Sequence, residues 1–391
     1  MGICGSIAAY KAVEWVRELT REEAEVTVVM TEAAARFVSA LTLASLSGRR
    51  VYTGMFEKDA GEEMTHINLA RECDLLIIAP ATAQTLAKLA HGFADDLLST
   101  LVLVSKAKVL VFPAMNSNMY CHAATRANLV KLQEYGYGVI EPDQGKLACG
   151  DEGVGRLVDW KTAREEIFSV FAFQDLQDKT ILISAGPTWE SFDPARLLSN
   201  RSSGKMGYAL ARVARRRGAR VILVSGPSSI EPPAGVEIVN VVSGEDMHDA
   251  IMDRYESADI VVMAAAVSDY RPAKTMKQKV KKGAKSIELE LVPNQDILKK
   301  LGEKKKKARR PLLVGFAAES REHIEEGQRK LKEKNLDLIV INDIVGKDTG
   351  FGTDTNQVSL IDRKYQLERL PLLSKDECAE MIWDKVVKLM Q

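Results

Sequence analysis

"KTILISAG", residues 179–186, is a run of β-branched and aliphatic residues ending in a glycine turn. Downstream lie four runs of the same kind: "VILVSGP" (221–227), "DIVVMAAA" (259–266), "PLLVGFAA" (311–318) and "LDLIVIND" (336–343). Their near-continuous hydrophobicity is that of strands covered on both faces. Upstream, the polar stretch "FAFQDLQDK" (171–179) separates this series from an earlier one: "EVTVVM" (25–30), "DLLIIAP" (74–80), "KVLVFPA" (108–114) and "YGVI" (137–140). Helical patterns such as "AAYKAVEWVRELTRE" (8–22) and "LTLASLSG" (41–48) fall between the strands. Such alternation predicts βαβ units around parallel sheets. The fold expected is α/β: two successive Rossmann-like domains, with mainly parallel sheets flanked by helices. The domains are predicted at 1–172 and 179–391, joined by a linker at 173–178. "MGICGS" opens directly on a glycine turn, so the first strand reads as cropped.

Bulk properties narrow the function classes. The 391 residues are 46% apolar and 28% charged, ordinary for a globular protein, and carry no formal net charge. Residues 1–172 hold 17 Lys and Arg against 22 Asp and Glu, and the remainder 37 against 32. A mildly basic second half suits small anions and is too weak for nucleic acid. Cys4, Cys73, Cys121, Cys149 and Cys378 are scattered without a C-x-x-C pair. That pattern disfavours zinc and disulfide frameworks and fits a reducing, cytoplasmic setting. No apolar run reaches the ~18–20 residues of a membrane span.

In a parallel sheet, ligands sit at the carboxyl ends of the strands. "GICGSIAAYK" (2–11), "APATAQT" (79–85) and "FPAMNSNMY" (112–120) are polar turns at such ends, and together they favour a cofactor bearing a phosphate. His66 in "MTHINLA" stands alone, and a lone histidine is more often structural or solvated than catalytic. Cys149, in the glycine-rich "ACGDEGVGR" (148–156), is expected on a mobile loop, where it could exchange a proton or be a bystander. In the second half, "SNRSSGKMG" (199–207) looks like a P-loop. A P-loop needs glycine five positions before Gly204 and Ser or Thr after Lys205, where Ser199 and Met206 stand instead. "AAAVSDYRP" (264–272) places Asp269 past a strand, as a turn former or as a nucleotide or magnesium contact. Of the basic runs, "EKKKKARR" (303–310) reads as a solvated face.

In their order, "GSIAAYK", "THINLA", "APATAQT", "PAMNSNMY" and "ACGDEGVGR" resemble the flavin-dependent cysteine decarboxylases. With the second half, nearly the whole chain resembles the bifunctional phosphopantothenoylcysteine decarboxylase/phosphopantothenate–cysteine ligase family of coenzyme A biosynthesis. The resemblance implies FMN held by Gly5, Ser6, Ile7, Thr31, Pro80, Ala81, Thr82 and Thr85. It makes His66 the active-site base, Asn116 with Met115 the substrate contacts, and Cys149 the proton donor. A carboxylate beside a thiol-bearing carbon has no electron sink. Oxidation of that carbon to a thioaldehyde provides one, and the enethiol left after loss of carbon dioxide is then reduced and protonated. The turn "CGS" at 4–6 departs from the family's more usual Ser/Thr-Gly-Gly.

For the second half, the resemblance makes Asn200, Ser202, Ser203 and Gly204 a phosphate seat for substrate. It makes Lys279 in "KQKVKKG" catalytic. The CTP contacts implied are Ala265, Asp269, Lys279, Asn294, Gln295, Asp296, Ile297, Phe316, Lys330 and Lys334, with Mg2+ at Asp269. Lys330 and Lys334, four apart, are expected on one helix face. The implied substrates are phosphopantothenate, cysteine, CTP and phosphopantothenoylcysteine, with neither nucleic acid nor membrane as partner, in a homo-oligomer. Competing readings are a peptidyl-cysteine decarboxylase fused to an unrelated nucleotide-binding domain and a non-catalytic flavin-binding regulator. A dehydrogenase is disfavoured because neither glycine turn carries the dinucleotide fingerprint.

Overall fold

A computed structural model describes residues 1–55, 64–281, 288–305, 310–319, 323–343 and 352–391. The chain forms two compact units, Met1–Val170 and Phe171–Gln391.

The first unit is built on a six-stranded parallel sheet. Its strands are β1 (Gly2–Ile3), β2 (Val28–Met30), β3 (Val51–Tyr52), β4 (Leu75–Ala81), β5 (Lys108–Pro113) and β6 (Gly138–Val139), in spatial order β3-β2-β1-β4-β5-β6. The two-residue β1 lies at the centre and pairs with both β2 and β4. There the strand order reverses, which opens a crevice at the carboxyl edge. Helix Ala9–Arg21 buries Ala9, Ala12, Trp15, Val16 and Leu19, spaced to form one face. Trp15 meets Phe112 of β5 edge-on, ring centroids 5.0 Å apart. Truncating so buried an indole to Ala would cost about 3–5 kcal/mol. Beyond β6, the hairpin β7 (Asp143–Lys146) and β8 (Glu152–Arg156) stands apart from the sheet.

The second unit repeats the scheme. β9 (Thr180–Ala185) runs into the hairpin β10 (Trp189–Asp193) and β11 (Arg196–Ser199). β12 (Arg220–Ser225), β13 (Glu237–Asn240) and β14 (Ile260–Met263) follow. β15 (Tyr270–Pro272) and β16 (Leu291–Pro293) form a separate ribbon, before β17 (Leu312–Glu319) and β18 (Leu338–Asp343). After the short β19 (Thr355–Asn356), the antiparallel β20 (Val358–Asp362) and β21 (Leu367–Arg369) complete an eight-stranded sheet. Its order is β13-β12-β9-β14-β17-β18-β20-β21, parallel from β13 to β18. The order reverses between β9 and β14. Helices Lys205–Arg216 and Lys375–Met390 pack together, and the buried Trp383 donates its indole N–H to Leu210 O at 3.0 Å.

Two sequence expectations are corrected here. Residues 173–178 are no linker, because they are seated on the second unit. Leu176 is fully buried, its N–H bonds Arg217 O at 3.1 Å, and Gln174 donates to Arg216 O at 2.9 Å. Asp175 pairs with the buried Arg217, which also bonds Asp384 at 2.7 Å. Nor is "EKKKKARR" solvated throughout. Lys305 is 8% exposed and paired with the buried Asp337, although burial still holds its amine below the ordinary lysine pKa. Residues 306–309 of that run, and Lys282 of "KQKVKKG", lie outside the described residues.

Candidate active sites

In the first unit, the turns after β1, β2, β4 and β5 meet around a cavity of about 750 Å³. Gly5, Ser6, Thr31, Thr82, Thr85 and Met115 line it, as expected. Gly5 is needed for space, since a Cβ there would sit 2.4 Å from that of Ala33. Thr82 caps helix Ala83–His91 by accepting the Thr85 N–H at 3.4 Å, and the helix start faces the cavity. The other three expected residues do not line it. Ile7 is 56% exposed, while Pro80 and Ala81 are buried strand residues that support the turns through Cys4 N–Pro80 O (3.3 Å) and Ala114 N–Ala81 O (3.0 Å).

Two cations missed in the sequence, Arg36 and Lys88, also reach this cavity. Lys88 bonds Asp95 and Asp96 at 2.8 and 2.7 Å. Burial opposes its charge, but these carboxylates prevail and hold the ammonium above its usual pKa. Both follow their strands closely, Arg36 after β2 and Lys88 in the helix after β4, but neither sits in a recognisable motif.

Asn116 and Cys149 come together just beyond Met115. The Asn116 amide donates to Cys149 Sγ at 3.4 Å and to Asp151 Oδ2 at 3.3 Å, and the Cys149 thiol donates to the same carboxylate oxygen at 3.4 Å. Asp151 is thus a site residue that the sequence reading passed over, although it stands two positions after Cys149. Cys149 and Gly150 lie in the turn between β7 and β8, where a Cβ on Gly150 would meet nothing within 4 Å, whereas the two glycines that follow serve close approach. Gly153 and Gly155 lie in β8, and at Gly155 (φ +140°) a Cβ would fall 2.2 Å from Met115 O. The Met115 N–H completes the seam by bonding Gly155 O at 2.9 Å. Cys149 rides on the exposed tip of this hairpin. His66 lies in the first turn of helix Thr65–Glu72 and does not line the cavity.

The second unit gathers its residues more completely. One cavity of about 520 Å³ is lined by Asn200, Ser202, Ser203 and Gly204, and by Ala265, Asp269, Asn294, Gln295, Asp296, Ile297, Phe316, Lys330 and Lys334. Gly204 precedes helix Lys205–Arg216 in the left-handed region (φ +85°), and no side chain caps that helix. Residues Lys205 to Gly207 of its first turn line the cavity, and the unpaired N–H groups of a helix start suit an anion. Asn200 donates to Ala266 O and Val267 O at 3.1 and 3.2 Å, which ties the seat to the turn after β14. Asn294 donates to Ser268 O at 2.8 Å, and Lys334 pairs with Asp296 at 2.9 Å.

Lys279 is the exception, on an exposed segment outside the cavity wall. Its neighbour Val280 is clamped: Asp193 Oδ2 accepts the Val280 N–H at 3.1 Å while Arg196 donates to Val280 O. Among the described residues, no group of three or more His, Cys, Asp and Glu could hold a metal. Nor is any helix among them long and apolar enough to cross a membrane.

Each of the two Rossmann-like units thus carries a cavity at the carboxyl ends of its strands, the first lined by hydroxyls and the second bordered by a helix start that no side chain caps, as in α/β proteins that bind small ligands. Residues 1–171 match the family described as Flavoprotein, and residues 176–390 the DNA/pantothenate metabolism flavoprotein C-terminal domain. The chain is 44% identical to the coenzyme A biosynthesis bifunctional protein CoaBC of Bacillus subtilis (strain 168), over 99% of this chain and 96% of that one. It is 42% identical to the protein of the same name from Escherichia coli (strain K12), with the same coverage. Among solved structures, it resembles the C-terminal domain of a CoaBC protein, with 42% identity over 56% of this chain and 98% of that one and a TM-score of 0.47. A PPC decarboxylase mutant complexed with pantothenoylaminoethenethiol matches at 32% identity over 42% of this chain and 93% of that one, with a TM-score of 0.39. The chain belongs to the CoaBC family of bifunctional coenzyme A biosynthesis enzymes, with a flavoprotein decarboxylase unit followed by a ligase unit.

Proposed function

We propose that the second unit joins phosphopantothenate to cysteine at the expense of CTP, and that the first decarboxylates the resulting phosphopantothenoylcysteine with FMN. The observation that carries the ligase reading is the convergence of residues 200–204, 265–269, 294–297, 316, 330 and 334 on one cavity. A substrate carboxylate oxygen attacks the α-phosphorus of CTP and pyrophosphate leaves. The cysteine amine then attacks the acyl carbon, releasing CMP and a proton. The first-turn amides, Lys330 and Lys334 offset charge on the phosphates, and Lys279 closes over them from its clamped segment. Of the two carboxylates in the cavity wall, Asp296 is paired with Lys334, which leaves Asp269 for an Mg2+ that arrives on the nucleotide and keeps most of its other ligands from phosphate and water.

The first cavity fits FMN because Gly5 leaves room for close approach, and Ser6, Thr82 and the amides of helix Ala83–His91 provide for a phosphate. FMN bound there supplies a two-electron oxidation of the substrate thiol and its later reversal. Asn116 orients the substrate amide, and Cys149 delivers a proton to carbon from a thiol held by Asp151. His66 acts as base from its helix start. We place the enzyme in the cytoplasm as a homo-oligomer acting on small anions. The deciding experiment is conversion of phosphopantothenate plus cysteine to phosphopantetheine, with CTP supplied or omitted. Pyrophosphate without added CTP overturns the nucleotide assignment, and purified protein that stays colourless after soaking with FMN overturns the flavin assignment.

A further inference from the structure

Helix Lys375–Met390 opens with a lysine in its first position, behind a Ser374 capping box. That end of a helix carries partial positive charge and favours acids. Lys375 is nonetheless 8% exposed, and its Nζ donates only to neutral oxygens: Thr355 O and Asn356 Oδ1, each at 3.3 Å. Among the described residues no carboxylate forms an ion pair with it; Asp354 attracts it only from farther off, against the repulsion of Lys205, and burial holds its amine below the ordinary lysine pKa. A buried cation so weakly compensated is costly.

Lys375 also lines the ligase cavity, together with Lys205, Met206 and Asn356. Lys205 already has a partner, Asp354 Oδ1 at 2.5 Å. Asn356, which holds Lys375, also approaches the first turn of helix Lys205–Arg216, its amide 3.6 Å from Met206 Sδ. A buried cation without an ion-pair partner and a capless helix start therefore border one space. A helix start or a buried lysine alone is open to a structural explanation. Their meeting on a cavity wall is what points to an anion.

We infer that Lys375 is a phosphate-binding residue of the ligase: with the amides of residues 205–207 it receives a phosphoryl group carried by a substrate. The group belongs either to the nucleoside triphosphate or to the phosphorylated acid. The inference rests on the reading of this cavity as the ligase site.

The test uses full-length Lys375→Met and Lys375→Gln, the latter keeping hydrogen-bond donors without the charge, and Lys375→Arg, which keeps the charge. Ligation is followed while CTP, phosphopantothenate and cysteine are varied in turn, and ligand-free protein is melted. The expected result for both neutral variants is a KM raised about 10- to 100-fold for one phosphorylated substrate, with a smaller change in kcat. Whichever substrate moves is the source of the phosphoryl group. Lys375→Arg should recover part of the loss, and the ligand-free neutral variants should melt no lower than wild type. KM values within about twofold of wild type for both phosphorylated substrates, or a rise confined to cysteine, overturn the inference. So does a lowered melting temperature with Lys375→Gln as damaging as Lys375→Met and no rescue by Arg, which would mark a structural lysine. If wild type itself fails to ligate, the failure lies with the proposed function instead.

Discussion

The two units use one architecture and arrange their sites differently. In the second, almost every expected residue lines a single cavity at the β9/β14 reversal, and Lys279 alone stands outside. In the first, the cavity at the β1/β4 reversal is lined by Gly5, Ser6, Thr31, Thr82 and Thr85, while Asn116, Cys149 and Asp151 form a cluster beyond Met115 and His66 lies on another helix. The difference follows from what each sheet edge carries. The ligase seat is made of turns fixed directly to strand ends. Cys149, the proposed proton donor, rides on a hairpin outside the sheet, held to the core through the seam between Gly155 and Met115.

If the units work as separate sites, the sharpest break is a double dissociation. Lys279→Gln should lower ligation about 100- to 1,000-fold and leave decarboxylation of supplied phosphopantothenoylcysteine near wild type. Cys149→Ser should do the reverse, lowering decarboxylation about 100-fold or more. Assays of both half-reactions on folded protein check this pair, and loss of both activities from either substitution contradicts separate sites. A smaller effect sharpens the role of the seam. Gly155→Ala adds a Cβ where 2.2 Å separates it from Met115 O, at φ +140°, so it should destabilise the hairpin by about 1–3 kcal/mol. Decarboxylation should fall about tenfold through misplacement of Cys149, with ligation unchanged. Unaltered decarboxylation would show that the seam does not place the thiol.

Much of this was legible in the sequence, for reasons that also explain the misses. Strands buried on both faces must be apolar throughout, so β9, β12, β14, β17 and β18 announce themselves, as do β4 and β5. Turns after β4 and β14 then put Thr82 and Asp269 on cavity walls, whereas Ser6 follows the two-residue β1 and Ser202 the hairpin strand β11. Side-chain direction was not legible at that scale. Pro80 and Ala81 adjoin Thr82 in sequence but still belong to β4, which turns them into the core. Polarity misled at 173–178, because Asp175 satisfies a buried Arg217 some forty residues away, and at Lys305, which Asp337 draws inward. At 148–156 glycine spacing alone does not show that Gly153 and Gly155 admit Ser117 and Met115, while Gly150 sits in an open turn. Arg36, Lys88 and Lys375 reach their cavities from or beside helices, and no local pattern separates such cations from solvated ones.

The smallest expected effect concerns the hairpin that holds the Lys279 segment. Asp193 is 1% exposed and accepts hydrogen bonds from Ala195 N and Arg196 N, both at 2.8 Å, and from Val280 N at 3.1 Å, and it pairs with Arg196 at 2.9 Å. Burial disfavours its charge, but these amides and the guanidinium prevail and hold the carboxyl below its ordinary 3.8. A depressed carboxyl contributes stability that is complete above the unfolded pKa and lost as pH falls through the folded one. In wild type, the melting temperature of the second unit should therefore decline as pH passes below about 3.8. Asp193→Asn removes the titrating group, so this part of the decline should disappear while melting near neutral pH is lowered. Because the carboxamide can still accept through one oxygen, the Val280 backbone should be loosened rather than released, and ligation should fall only about three- to tenfold. Identical melting curves for wild type and variant between pH about 5 and 3 would show that the Asp193 charge does not hold the clamp.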